Sequence, residues 1–105
     1  MKSKKSKATD IPYKVKEKVW ERDNYSCIYC GKTGYSVMPN AHFISRANNG
    51  LGIEQNIVTL CLECHNNFDH GCKEIRSKYR QFIRNYLKSK YENWNEDSLI
   101  YKKGE

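Results

Sequence analysis

The chain has 105 residues, of which 38% are hydrophobic and 30% are charged, and its lysines and arginines exceed its aspartates and glutamates by 19 to 12. This length indicates one domain with a small core, and no apolar run approaches the roughly 20 residues that a transmembrane helix needs. The formal net charge of +7 favours a polyanionic partner, most often nucleic acid. A protein that is merely basic has the same composition, so charge alone leaves both alternatives open.

The chain begins with MKSKKSKATD, which has the positive start of a signal peptide but no apolar segment after it. We therefore expect a cytoplasmic protein, in which cysteines are kept reduced. Residues 1–8 are rich in lysine and serine, which predicts a disordered basic tail. A helix is expected to begin at Thr9 or Asp10, either of which can cap it, with Pro12 in its first turn and its end at about residues 22–24.

Two short strands are predicted at residues 41–45 and 57–60, with a loop rich in asparagine and glycine between them. A short helix is expected over residues 62–68. The clearest helix covers residues 73–91, because six apolar side chains recur there at helical spacing and form one face. These six are Ile75, Tyr79, Phe82, Ile83, Tyr86 and Leu87.

Four cysteines form two CxxC pairs, Cys27 with Cys30 and Cys61 with Cys64. Two such pairs complete a closed site of four thiolates, which is typical of structural zinc. Zinc binding of this kind contributes about 10–16 kcal/mol of apparent energy to folding, which would compensate for a small core. Four unrelated or redox-active cysteines are the alternative, and Cys72 is expected to be a free thiol.

The second cysteine pair runs directly into His65, and His42 and Asn56 stand upstream of it. The order histidine, asparagine, histidine, threaded through two CxxC pairs, resembles the HNH endonuclease family, whose active site is a ββα-metal unit. The segments CIYCGK, AHFISR, NNGLGIEQN and IVTLCLECH carry the resemblance, within a core motif at residues 20–72. They are especially similar to small HNH proteins of bacteriophages.

The resemblance implies a fold of the α+β class. It would be a small zinc-stapled ββα-metal domain with flanking N- and C-terminal helices, forming a single HNH nuclease domain over residues 9–105.

The resemblance also implies an enzyme that hydrolyses phosphodiester bonds in DNA with a catalytic divalent metal such as Mg²⁺ or Mn²⁺. His42 would be the general base that takes a proton from water, since an imidazole with an ordinary pKa near 6.5 is often neutral at pH 7. His65 would bind this metal or contact phosphate. Asn56 would either bind the metal or hold the loop that carries the base. Asp69 lies one helical turn after His65 and is a further candidate ligand.

Ala41 departs from the family pattern, in which an aspartate or histidine before the base often binds the metal. Three interpretations stay open. In the first, Asn56, His65 and Asp69 hold the metal together with water molecules. In the second, Asn40 or a carboxylate from elsewhere in the chain supplies the missing ligand, and in the third the site is inactive. The small phage-type relatives often carry the same Ala-His pair, which favours activity.

Four arginines are candidates for phosphate contacts, with Arg46 directly after the catalytic strand and three on the C-terminal helix, Arg76, Arg80 and Arg84. The resemblance to phage proteins further implies a link to DNA packaging, the phage large terminase as a partner, and the host cytoplasm as the location if the gene is a phage gene. The rival hypothesis is a non-catalytic, zinc-stabilised DNA- or protein-binding module. Cleavage specificity and oligomeric state stay open.

Overall fold

A computed structural model describes residues 3–102 of the chain. Over this range the backbone forms four helices and one two-stranded antiparallel sheet, so the predicted α+β class is confirmed. No helix within it is apolar over a length that would cross a membrane. In chain order the elements are α1 (Lys4–Thr9), α2 (Tyr13–Arg22), β1 (Val37–His42), β2 (Ile57–Cys61), α3 (Leu62–His70) and α4 (Lys73–Lys90), with 3₁₀ turns at Arg46–Asn48 and Glu96–Leu99.

The strands β1 and β2 pair in antiparallel register, with Val37 opposite Cys61 and His42 opposite Ile57. β1 therefore begins earlier than the strand predicted at residues 41–45, and it ends at His42. This register brings the candidate base close to the start of β2 and the second cysteine pair close to the start of β1. Both candidate sites are thus attached to the two ends of one small sheet.

The hydrophobic core lies between one face of the sheet and helices α3 and α4. Side chains alternate at the end of β1 as predicted, since Ala41 and Phe43, the residue after the strand, are buried while His42 between them is partly exposed. The alternation places His42 outside the core, where it is accessible to a ligand. The core also contains Val58, Leu60, Phe68, Tyr79, Ile83, Leu87 and Leu99.

The long C-terminal helix α4 packs through the face that its periodicity predicts. Tyr79, Ile83 and Leu87 are buried at intervals of one turn, whereas Ile75 and Phe82 at the edges of the face stay 40% and 38% exposed. The buried face of α4 is therefore narrower than the face that the six apolar residues form on the helix. The basic side of the helix remains turned towards solvent.

The N-terminal segment forms a helix in place of the disordered tail expected over residues 1–8. The side chain of Ser3 caps α1 by accepting a hydrogen bond from the backbone N–H of Ser6. At the other end, the hydroxyl of Thr9 donates to the carbonyl of Lys5 at 2.9 Å. Because α1 ends at Thr9, helix α2 begins later than predicted; the first two residues of the chain lie outside the described part.

A buried ion pair at the end of α2 connects this helix to β2 and α4. Arg22 Nε lies 2.7 Å from Asp23 Oδ1, and the Asp23 carboxylate also accepts the Tyr86 hydroxyl and the backbone N–H of Thr59. The Arg22 guanidinium donates a further bond to the carbonyl of Ile57 at 2.8 Å. These contacts satisfy the buried charges and fix the position of β2, and with it the second cysteine pair.

Candidate functional site

The four cysteines of the two CxxC pairs come together at one end of the sheet. Cys27 and Cys30 lie in the turns between α2 and β1, Cys61 ends β2, and Cys64 lies in the first turn of α3. Their sulfur atoms all lie within 4.8 Å of one another, and the Cys30 and Cys61 sulfurs are 3.7 Å apart. Tetrahedral zinc with bonds of ~2.3 Å places neighbouring sulfurs about 3.8 Å apart. The cluster can therefore hold a zinc ion, while Cys72 lies outside it as an exposed free thiol.

The protonation chemistry of the cluster also fits a cation. Burial raises the pKa of the Cys27 thiol, but backbone N–H groups of Cys30, Cys61 and Tyr29 outweigh it and lower the pKa to about 7. Burial raises the pKa of the Cys64 thiol well above its ordinary value, and the neighbouring sulfurs raise it further. Four thiolates this close repel one another, so a bound cation is what allows all four to ionise.

His42, the candidate base, is held by a backbone carbonyl from the N-terminal segment. Its Nε2 lies 2.8 Å from the carbonyl oxygen of Thr9. A carbonyl only accepts hydrogen bonds, so Nε2 carries the proton and the neutral ring presents Nδ1 as its basic nitrogen. Burial lowers the pKa of His42, Arg46 and His65 lower it further, and the Thr9 bond and Asp69 oppose this shift. The ring is therefore neutral, and able to accept a proton, at pH 7.

Asn56 is fully buried beneath the loop that follows His42. Its amide oxygen accepts the backbone N–H of Ile44 at 2.8 Å, and its amide nitrogen donates to the carbonyls of Ile44 and Leu51 at 3.1 and 2.8 Å. A Cβ at Gly50 would lie 1.6 Å from the Ile44 oxygen, so only glycine lets the loop close this tightly. Of the two alternatives for Asn56, these contacts favour holding the loop over binding a metal.

His65 and Asp69 form a pair on the exposed side of α3. His65 Nε2 lies 3.0 Å from Asp69 Oδ2, one helical turn further on, and the two side chains are 27% and 43% exposed. An imidazole nitrogen and a carboxylate oxygen at this separation can both bind one divalent cation, because each donor atom would lie about 2.1 Å from the ion. Within residues 3–102, no third histidine, cysteine or carboxylate joins this pair to make a three-ligand group.

Ala41 and Asn40, the residues before the candidate base, differ in their surroundings. Ala41 is fully buried in the core and offers no ligand atom. Asn40 lies on the same face of β1 as His42, and its buried amide oxygen has no hydrogen-bond partner among the described residues. Asn40, His42 and Arg46 line a cavity of about 410 Å³ on the side of α2. Asp69 does not line this cavity, so Asn40 faces a different space from the His65–Asp69 pair.

A second cavity, of about 210 Å³, brings the predicted base together with one candidate metal ligand and two candidate phosphate residues, while His65 and Asn56 do not line it. It is lined by His42 from β1, Asp69 from α3, and Arg76 and Arg80 from α4. The Arg80 guanidinium lies 5.6 Å from the ring centroid of Phe68, which restrains it against the cavity wall. A neutral base, an acidic group and two cations therefore share one cleft.

The two other candidate arginines already have partners within the chain. Arg46 lines the α2-side cavity and forms an ion pair with Asp10. Arg84 donates to Glu96, with Nε and Oε2 3.1 Å apart, and its guanidinium lies over the ring of Phe43. Arg84 thus makes internal contacts, whereas Arg76 and Arg80 are exposed in the cleft.

Two contacts at the site come from a segment that the sequence motifs do not single out. Thr9 supplies the carbonyl that holds His42, and Asp10 supplies the partner of Arg46. Every residue has a backbone carbonyl, so the residue type at position 9 could not have predicted this contact. The sequence predicted Asp10 only as a helix cap, and nothing in it indicated the ion pair of Asp10 with Arg46.

Comparison with protein-family models matches residues 27–70 to the family described as HNH endonuclease. The matched segment begins at the first cysteine of the zinc cluster, ends with α3, and contains His42, Asn56 and His65. The family resemblance that the motifs indicated is thereby confirmed for this segment. No curated protein and no solved structure matches the chain.

Proposed function

Because residues 27–70 form a segment of the HNH endonuclease family, we propose that this protein is a metal-dependent endonuclease that hydrolyses phosphodiester bonds in DNA. The observation that carries the proposal is the shared cleft of His42, Asp69, Arg76 and Arg80. The cleft combines a base, a group suited to a divalent cation and two groups suited to phosphates. A net charge of +7 supports a polyanionic substrate.

In this mechanism His42 acts as the general base. Its Nδ1 accepts a proton from water while the water oxygen forms a bond to phosphorus, and the bond from phosphorus to the leaving oxygen breaks. The hydrogen bond from Nε2 to the carbonyl of Thr9 keeps the ring in the productive tautomer and stabilises the imidazolium that forms. The leaving oxygen then takes a proton from solvent.

His65 and Asp69 would hold the catalytic divalent cation, with water molecules and substrate phosphate completing its shell. When bound, the cation supplies electrostatic stabilisation of the charge that develops on the phosphate and the leaving oxygen. Arg76 and Arg80 bind neighbouring phosphates and hold the scissile linkage against the base. Asn56 contributes indirectly, because it holds the loop after the catalytic strand.

A nuclease assay tests this proposal. Purified protein is incubated with supercoiled plasmid and with linear DNA in Mg²⁺, Mn²⁺, Ni²⁺ or Zn²⁺, beside His42→Ala and the control His70→Ala. His70 lies exposed at the end of α3, so its loss removes a histidine without touching the cleft. We expect metal-dependent nicking or cleavage that His42→Ala abolishes and His70→Ala keeps. Failure to cleave any DNA form with any of these metals would refute the proposal.

A second candidate function is a non-catalytic, zinc-stabilised module that binds DNA or a protein. This function is favoured by the buried Ala41, which stands where family members often have an aspartate or histidine that binds the metal. This function requires the zinc cluster and the basic surface but no turnover. DNA binding that His42→Ala leaves intact, without cleavage by the unaltered protein, would support it over the endonuclease.

The finer parts of the proposal concern biological context. We include a phage-type origin and a role linked to DNA packaging, which rest on the sequence resemblance. We also include a single nuclease domain over residues 9–105 and a cytoplasmic location, for which the chain length and the composition of the N-terminal segment are the further support. The partner that this role requires is the large terminase. Co-purification of tagged protein with a terminase subunit would support it, and recovery without any such subunit from infected cells would count against it.

A further inference from the structure

The N-terminal strap, which we define as residues 3–10, is anchored to the loop that follows the catalytic strand. The carbonyl of Ala8 accepts the backbone N–H of Gly52 at 2.9 Å. The carbonyl of Thr9 accepts the Nε2 proton of His42 at 2.8 Å, and Asp10 pairs with Arg46. Three successive residues of the strap therefore contact three points between residues 42 and 52.

The close approach of the strap depends on a glycine. A Cβ built at Gly52 would lie 1.8 Å from the carbonyl oxygen of Asp10 and 2.5 Å from its carbonyl carbon. No side chain can occupy that space unless the strap moves away. Thr9, which lies between the two anchors at Ala8 and Asp10, is 2% exposed. The strap is therefore closely packed against the rest of the site, with Thr9 buried and Asp10 in close contact with Gly52.

The contact with His42 bears directly on its chemistry. A neutral imidazole can carry its proton on either nitrogen and can turn about its side-chain bonds. The Thr9 carbonyl selects the form with the proton on Nε2 and fixes the ring plane, which leaves Nδ1 as the base. Arg46, which follows the same strand, is held by the adjacent strap residue Asp10.

We infer that the N-terminal strap is a positioning element of the active site, in which the Thr9 backbone carbonyl orients His42 for proton abstraction. The inference rests on the proposed nuclease function, and it extends that function beyond the family segment at residues 27–70. Thr9 is a positioning residue, since it acts through His42 and needs no contact with the substrate.

Gly52→Ala is the variant that tests the strap in the full-length protein. Two measurements are combined: the imidazole N–H signal of His42 in ¹H–¹⁵N NMR spectra, and kcat and KM for DNA cleavage at saturating metal. An imidazole N–H is visible when a hydrogen bond and burial slow its exchange with water. We expect Gly52→Ala to lose the His42 signal and to lower kcat on the order of 100-fold with little change in KM, because a misplaced reacting group costs rate rather than binding.

A charge control separates positioning from simple attraction of DNA to a basic tail. The double variant Lys4→Gln and Lys7→Gln lowers the charge of the strap at two exposed positions that form none of its anchors. We expect it to keep the His42 signal and kcat. If Gly52→Ala fails to bind zinc or to fold, Asp10→Ala provides the second test, since it removes the ion pair with Arg46 and keeps the backbone free of a clash. We expect Asp10→Ala to weaken the His42 signal and to lower kcat, as Gly52→Ala does.

The outcomes distinguish failure of the strap from failure of the nuclease hypothesis. Wild-type kcat in a variant that has lost the His42 signal would overturn the positioning role alone. A His42 signal that persists in a folded Gly52→Ala protein would also overturn it, because another group would then hold the ring. Absence of cleavage by the unaltered protein would overturn the proposed function itself, whatever the spectra of the variants.

Discussion

The buried amide of Asn56 makes a prediction about stability that can be worked out from its contacts. Asn56→Ala removes three hydrogen bonds and leaves the Ile44 N–H and the carbonyls of Ile44 and Leu51 without their partner. Each bond contributes about 1 kcal/mol net, and buried groups left unsatisfied cost somewhat more. We therefore expect the free energy of unfolding to fall by about 3–5 kcal/mol, which is a large part of the ~5–15 kcal/mol typical of a domain.

The same residue offers a test of its two alternative roles. Asn56→Asp keeps an acceptor for the Ile44 N–H but replaces two donated bonds with a carboxylate that faces two carbonyl oxygens. If Asn56 holds the loop, this variant is also destabilised and gains no affinity for Mn²⁺. If Asn56 bound the metal, a carboxylate would be the stronger ligand and Mn²⁺ would bind more tightly.

Urea unfolding followed by circular dichroism, at a fixed excess of zinc, measures the stability change, and calorimetric titration measures Mn²⁺ binding. Asn66→Ala is the matched control, because Asn66 is exposed on α3 and its replacement should change stability by no more than about 0.5 kcal/mol. A loss below about 1 kcal/mol in Asn56→Ala would refute the reasoning from buried hydrogen bonds. So would a stable Asn56→Asp protein with stronger Mn²⁺ binding.

The remaining predictions concern the zinc cluster, the base and the cleft arginines. Cys64→Ser should lose the one zinc ion per chain that elemental analysis is expected to find, and should be unfolded in circular dichroism, because metal binding and folding are coupled; a folded, metal-free variant would contradict this. Because burial lowers the pKa of His42 and the neutral ring is the active form, kcat/KM should rise with pH to a plateau whose midpoint lies below the ordinary value near 6.5. A pH–rate profile with its midpoint above 7 would argue against His42 as the base. Arg76→Gln and Arg80→Gln should each reduce the slope of log affinity against log salt by about 1 in fluorescence anisotropy, whereas Arg84→Gln, which removes an internal ion pair, should leave the slope unchanged.

The zinc cluster and the main elements could be predicted from local patterns. The CxxC spacing of Cys27 with Cys30 and of Cys61 with Cys64 predicted the four cysteines that cluster in the fold, because two residues between cysteines place both sulfurs in reach of one ion. Helical periodicity located α4 to within a residue of its observed end, and strand alternation placed His42 on the face opposite Ala41. These features depend on neighbours within a few positions of one another, so the sequence carries them directly.

The roles of individual polar groups depended on contacts between distant parts of the chain. Asn56 was compatible with a metal ligand and with a loop support until its three bonds to residues 44 and 51 were known. Arg76, Arg80 and Arg84 lie on one helix at intervals of four residues. Arg84 nevertheless pairs with Glu96 from the C-terminal segment and packs on Phe43, whereas Arg76 and Arg80 line the cleft.

The clearest limit of pattern-based inference lies at the N-terminus. Residues 1–8 have the composition of a disordered tail, but α1 forms because Ser3 caps it and because its end packs against Gly52 and His42. The decisive atom there is the carbonyl oxygen of Thr9, and every residue has such an oxygen. Residue types and their spacing therefore indicate candidate metal ligands and core faces. The partner of the candidate base is decided by which backbone carbonyl the fold brings within hydrogen-bond distance of the ring.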